Sequence, residues 1–167
     1  MTSPVGIILA AALLPLLETG CYSFSGGSVP AHLKTVAIPL VDDQSGFGEP
    51  GLREQFTTAL TNLFIKDNSL EVTNRTTADA ILEGVLLPIT DAPSAVQQGE
   101  QVSKRRITMA VRFTFQDMKL RRKIWEKTFT NWGEYGSNAG LSKRQDGLQE
   151  AMRKITEDVL QETVSGW

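Results

Sequence analysis

The chain has 167 residues, 41% of them hydrophobic and 22% charged, with a formal net charge of −2. That is one domain's worth of sequence, with enough apolar content for a core. A single Cys excludes an internal disulfide and a single His excludes most zinc sites. The near-neutral charge argues against bulk attraction to nucleic acid.

The chain begins with an apolar run. Val5–Leu17 are 13 residues without a charge, too short for the roughly 20 that span a bilayer. The run fits the apolar region of a signal peptide. Small Thr19 and Gly20 precede Cys21, and a Gly-Cys junction after a Leu-rich run reads as a bacterial lipobox. Residues 1–20 are therefore expected to be a lipoprotein signal peptide, with Cys21 as the lipid-attachment site. Two features depart from that pattern. "MTSP" lacks the usual basic residues, which a start codon further upstream would explain. Glu18 occupies a position where a small apolar residue is usual. The alternative is a helix whose apolar face includes Cys21. Residues 21–34, with "YSFSGGSVPAH", read as a flexible Ser/Gly/Pro-rich tether. Residues 35–167 read as one folded domain.

Within that domain "KTVAIPLVDD" reads as a first strand, with Val36, Ile38 and Leu40 on one face. Pro39 lacks a ladder donor, so this strand is expected to be bulged or at an edge. Leu52, Phe56, Ala59, Leu60, Leu63 and Phe64 then mark one face of a helix, ended by Asp67, Asn68 and Ser69. A short extended entry leads to a second strand at about Ala80–Ile89, and "APSAVQQGEQVSK" reads as a loop. "RITMAVRFTFQDM" is the clearest strand: Ile107, Met109, Val111, Phe113 and Phe115 alternate with mainly polar residues. "QDMKLRRK" reads as a turn and "IWEKTFTNWGEY" as a fourth strand. The last helix is expected from Ser142 to about Val164, with Leu148, Met152, Ile155 and Val159 buried and a capping box at Ser142–Gln145. The order β-α-β-β-β-α implies an α+β two-layer sandwich. Two helices would cover one face of a four-stranded sheet, with the last three strands in a meander.

No catalytic set emerges, and none is expected. The only His, His32, lies before the first strand, away from any paired nucleophile. Asp42-Asp43 read as turn formers rather than metal ligands. "SGFGEPG" lacks the spacing and the Lys-Ser/Thr of a phosphate loop. Two basic clusters remain: Lys104, Arg105 and Arg106 enter the third strand, and Lys119, Arg121, Arg122 and Lys123 form the turn that leaves it. About ten strand residues at ~3.3 Å each separate them, so they lie at opposite ends of the sheet. Each is either a solubilising turn or a contact for an anionic partner such as a phosphorylated lipid.

Three stretches together resemble the lipopolysaccharide-assembly lipoprotein LptE family, closest to forms from Bacteroidetes- and Chlorobi-like bacteria. They are "GCYSFSGGSVPAHLKTVAIPLVDD", "LREQFTTALTNLFIKDNSLEVTNRTTADAILEGVL" and "ITMAVRFTFQDMKLRRKIWEKTFTNWGEY". The opening is carried by Cys21, Tyr22, Ser23, Phe24, Gly26, Ser28, Pro30, Lys34 and Thr35, and the Ala78–Val85 pattern also fits. The resemblance implies a non-enzymatic, cofactor-free outer-membrane lipoprotein facing the periplasm, anchored through a lipid on Cys21. It implies an LptD-type β-barrel as partner, plugged and assembled with this chain's help, and lipopolysaccharide as ligand, bound through basic residues. Lys104, Arg105, Arg106, Lys119, Arg121, Arg122 and Lys123 are candidates for that contact by charge and position. A competing reading is a lipoprotein of the penicillin-binding-protein-activator or curli-secretion type, which also opens with a strand like "VAIPLVDD". A soluble enzyme or carrier is a third class.

Overall fold

The computed structural model describes residues 29–94, 104–137 and 140–165. They form seven strands and two helices. The strands are β1 (Thr35–Ala37), β2 (Asp42–Asp43), β3 (Glu71–Val72), β4 (Ala80–Leu86), β5 (Thr90–Pro93), β6 (Lys104–Asp117) and β7 (Arg122–Gly136). The helices are α1 (Leu52–Asp67) and α2 (Gly140–Ser165).

The architecture is α+β with both helices on one face, as expected, but the sheet has seven strand segments rather than four. Prolines account for two of the extra segments. Pro39 interrupts the first expected strand, leaving β1 and β2, both parallel to β4. The break is tolerated because the Val41 N–H donates to Thr57 Oγ1 of α1 at 3.0 Å. Pro88 separates β4 from β5 in the same way, and both pair antiparallel with one edge of β6. β5 ("TDAP") shows no alternation, so nothing local marks it as a strand. It forms because β6 extends back to Lys104 and offers a free edge. Pro93 is tolerated there because β5 has no further neighbour. β3 adds a two-residue parallel partner to β1. The meander holds in its pairing, since β4, β6 and β7 run antiparallel in turn.

β6 is the centre of the molecule. Ile107, Met109, Val111, Phe113 and Phe115 are fully buried under the helices, while the alternate residues line the open face. α1 packs on this surface through Leu52, Phe56, Leu60 and Phe64. The Phe56 and Phe113 rings lie 6.1 Å apart, and Phe113 meets Phe129 of β7 at 6.3 Å. α1 stops where expected: Asn68 turns left-handed (φ 59°) and returns its N–H to Phe64 O at 2.9 Å.

α2 is described from Gly140, and the side chain of Ser142, expected to cap it, lies outside what is described. Leu148, Ala151, Met152, Ile155 and Val159 bury its inner face. The helix lies flush on β7 because two glycines meet there. A Cβ on Gly133 would sit 2.1 Å from the Gly147 carbonyl oxygen, which no side chain can occupy. No helix among the described residues is long and apolar enough to cross a membrane.

Candidate functional site at the two ends of the β6–β7 hairpin

The two basic clusters lie at opposite ends of one long hairpin. Lys104 pairs with Gly136 at one end and Asp117 with Arg122 at the other. Fourteen strand residues at ~3.3 Å each put about 40 Å between them.

At the open end of the hairpin all three cations are held by the fold. Arg105 Nε donates to Asp91 Oδ1 (2.9 Å) and to the Tyr135 hydroxyl (3.0 Å), while its Nη2 reaches the Asp91 carbonyl oxygen at 3.0 Å. The Tyr135 hydroxyl donates in turn to Asp91 Oδ2 at 2.7 Å. Burial pushes this phenol above its ordinary pKa, and the Asp91 charge adds to the shift. Bonds to Tyr135 and Asp91 raise the Arg105 pKa further. Arg106 Nη2 donates to Glu134 Oε1 at 2.8 Å, and Lys104 Nζ lies 3.9 Å from Glu134 Oε2. The Ser94 hydroxyl and Arg106 hold the Glu134 carboxyl below its usual range. Arg144 of α2 closes the set, bonding Glu49 at 2.9 Å and stacking over the Phe47 ring at 4.3 Å. Arg106 and Lys154 both sit over Trp132, 4.0 and 4.3 Å from its ring centre. Three carboxylates, Asp91, Glu134 and Glu49, therefore face four of the basic groups.

The turn end is built differently. Met118–Arg121 make the turn, and Arg121 takes a left-handed conformation (φ 51°). Arg122 and Lys123 already belong to β7, so the turn is shorter than the expected "QDMKLRRK". Asp117 anchors it: its side chain is fully buried and accepts the Leu120 N–H at 2.8 Å and a His32 Nε2 bond at 2.6 Å. Burial opposes charge on this carboxyl, but these bonds outweigh it and hold the pKa below the ordinary value. Lys119 Nζ reaches Asp79 Oδ1 at 2.8 Å and the His32 carbonyl at 2.7 Å. Asp79 also accepts the Lys34 N–H at 2.7 Å, and its pKa is lowered, chiefly by Lys119. Lys123 pairs with Glu126 at 2.6 Å. Arg121 and Arg122 are exposed, and their guanidinium groups have no partner among the described residues. Met118 and Leu120 beside them are 41% and 57% exposed.

The hairpin thus keeps the candidates apart, four at the turn and three at the open end. Cys21 lies outside the described residues. Among those residues no group of three or more His, Cys, Asp or Glu side chains could hold a metal. The sequence reading missed His32, Asp79 and Asp117, which fix the turn. An acid closing a strong strand just before a basic turn was the available signal for Asp117.

A model of the lipopolysaccharide-assembly family LptE matches residues 33–163. The chain belongs to the LptE family. That family's role is lipopolysaccharide assembly and is non-enzymatic. No curated protein matches the sequence. Among solved structures the chain is similar to protein CT253 from Chlamydia trachomatis (14% identity, TM-score 0.56, covering 78% of this chain and 98% of that one). It is also similar to lipoprotein B from Nitrosomonas europaea (12%, TM-score 0.54, 83% and 85%). A third is the PelC dodecamer from Paraburkholderia phytofirmans (17%, TM-score 0.52, 77% and 90%). At these identities the likeness shows a shared fold for the LptE-family chain and nothing finer.

Proposed function

We propose that this LptE-family chain is an outer-membrane lipoprotein that plugs and helps assemble an LptD-type β-barrel and takes part in moving lipopolysaccharide to the cell surface. The observation that carries the reading is the family match over residues 33–163. The apolar run before Cys21 supports an anchor at that cysteine, holding the domain on the periplasmic side. The mechanism is binding and positioning, and no bond is made or broken.

The lipopolysaccharide contact is assigned to the turn cluster rather than to Lys104, Arg105 and Arg106. Arg105 and Arg106 spend their donors on Asp91, Glu134 and Tyr135, and Lys104 lies beside the same Glu134. Moving them to a ligand would leave part-buried carboxylates unpaired, which is costly. Arg121 and Arg122 hold planar donors without a partner among the described residues, the geometry that suits a phosphate, and Lys119 and Lys123 flank them.

Co-purification tests the main reading: a barrel of LptD type should stay with the tagged chain through detergent washes. Recovery of the chain without a barrel sinks the proposal. For the anchor, a palmitate analogue should label the wild type and not Cys21→Ser. Equal labelling of the two removes Cys21 as the lipid site. For the ligand, Arg121→Glu/Arg122→Glu should weaken retention of lipopolysaccharide in a pull-down, and Arg106→Glu should leave it close to wild type. The opposite pattern would move the contact to the other end.

A further inference from the structure

The β6–β7 turn is tied to the body of the domain on two sides. From the segment before β1, His32 Nε2 donates to Asp117 Oδ2 at 2.6 Å, and the His32 carbonyl accepts Lys119 Nζ at 2.7 Å. Asp117 is ionised at neutral pH, and a carboxylate only accepts, so Nε2 carries the hydrogen. From the entry to β4, the Asp79 carbonyl accepts the Met118 N–H at 2.8 Å, and the Asp79 carboxylate holds Lys119 at 2.8 Å. The Lys34 and Thr35 N–H groups fix Asp79 in turn, at 2.7 and 3.2 Å. Asp117 Oδ1 takes the Leu120 N–H at 2.8 Å. Met118, Lys119 and Leu120 are therefore all fastened, and Arg121 is the turn residue that follows them.

Arg121 takes a left-handed backbone (φ 51°), which glycine adopts freely and arginine does not. Such a conformation persists only where the surroundings impose it. The Arg121 side chain does not stabilise it, since the guanidinium has no partner among the described residues. The fold thus holds an arginine, at a cost in stability, where glycine is the default. The conformation also bears on Arg122. In an extended strand successive side chains point to opposite faces, so two adjacent arginines would not reach one anion. A left-handed residue breaks that alternation where the turn joins β7.

We propose that His32, Asp79 and Asp117 are positioning residues of the ligand site. They impose the backbone at Arg121 that lets Arg121 and Arg122 share one phosphate group, and they touch no ligand themselves. The role rests on the ligand assignment made above and adds the residues that act through those two arginines.

The test uses the full chain on immobilised lipopolysaccharide, beside urea unfolding without ligand. Arg121→Gly should raise the unfolding midpoint, because glycine takes the left-handed backbone without strain, and should weaken retention at the same time. Arg122→Gly, in extended backbone, should weaken retention without raising the midpoint. His32→Ala should weaken retention about fivefold or more, the population lost when a left-handed arginine is no longer held. His32→Gln supplies an N–H donor in place of Nε2 and should bring most of that retention back. On an Arg121→Gly background His32→Ala should add little further loss, since the two residues act as one unit. Residues that merely hold the fold would lose stability and retention together. An unchanged or lower midpoint in Arg121→Gly, or full retention in His32→Ala, overturns the proposal. If His32→Ala does not fold, Arg121→Gly decides alone. The two readings fail separately. Wild-type retention by Arg121→Glu/Arg122→Glu removes the ligand assignment and this role with it. Loss in that variant beside full retention in His32→Ala removes the positioning role alone.

Discussion

The two ends of the β6–β7 hairpin carry similar numbers of cations and use them in opposite ways. At the Lys104 end the charges are paired with Asp91, Glu134 and Glu49, and the cluster is part of the scaffold. At the turn the fold takes up Lys119 and Lys123 and leaves Arg121 and Arg122 in solvent. A run of basic residues therefore says little about binding until the acids around it are placed. Compensated cations act as structure, and uncompensated ones are available to a partner.

Substitutions can break or sharpen that contrast. The largest effect is expected from Gly133→Ala, at the Lys104 end. The new Cβ would meet the Gly147 backbone at 2.1 Å and lift α2 from β7. A loss of about 3 kcal/mol or more is expected in urea unfolding, the upper range for overpacking. Next is Asp91→Ala, which strands the donors of Arg105 and Tyr135. About 2 kcal/mol should be lost, and an unchanged midpoint would show that this end is not pinned.

Acid loads both ends, since Glu134 at the Lys104 end is depressed as well, and the turn end can be tested on its own. Asp117 and Asp79 both have folded pKa values below their ordinary ones. A depressed carboxyl contributes stability that is complete above its unfolded value of about 3.9 and is lost as pH falls through the folded value. Stability measured from pH 6 downward should therefore hold to about pH 4 and then decline. In Asp117→Asn the decline should be shallower, starting from a stability about 1 kcal/mol lower at neutral pH. The smallest effect on stability belongs to Arg121→Glu/Arg122→Glu, within about 0.5 kcal/mol of wild type. A larger loss would mean that these arginines have a structural task after all.

Much of this fold was legible in the sequence, because its main signals are local. The period-two run of β6 and the helical stripes of α1 and α2 appear wherever one face of an element is buried. β5 was not legible, since "TDAP" is a strand only because β6 offers an edge. Nor was the split of the first strand, beyond the warning that Pro39 gave. At the candidate site the cations were visible and their partners were not. Asp91 lies 14 residues from Arg105, and Glu134 lies 28 from Arg106. Only the folded register of β5, β6 and β7 brings them together. The bond from His32 to Asp117 spans 85 residues and had no local signature at all.

The hairpin also carries its own spectroscopic labels. Trp125 stands near the turn, packed against Phe115 and Phe129, with its indole N–H buried and unpartnered among the described residues. Trp132 stands near the other end, 39% exposed under Arg106 and Lys154. An indole in an apolar cage emits further to the blue than one in water, and a flanking cation shifts the emission again. With the third tryptophan, Trp167, replaced by Phe as background, replacing either hairpin Trp with Phe would leave native fluorescence reporting the opposite end, so that events at the turn and at the pinned cluster can be followed separately in the unlabelled protein.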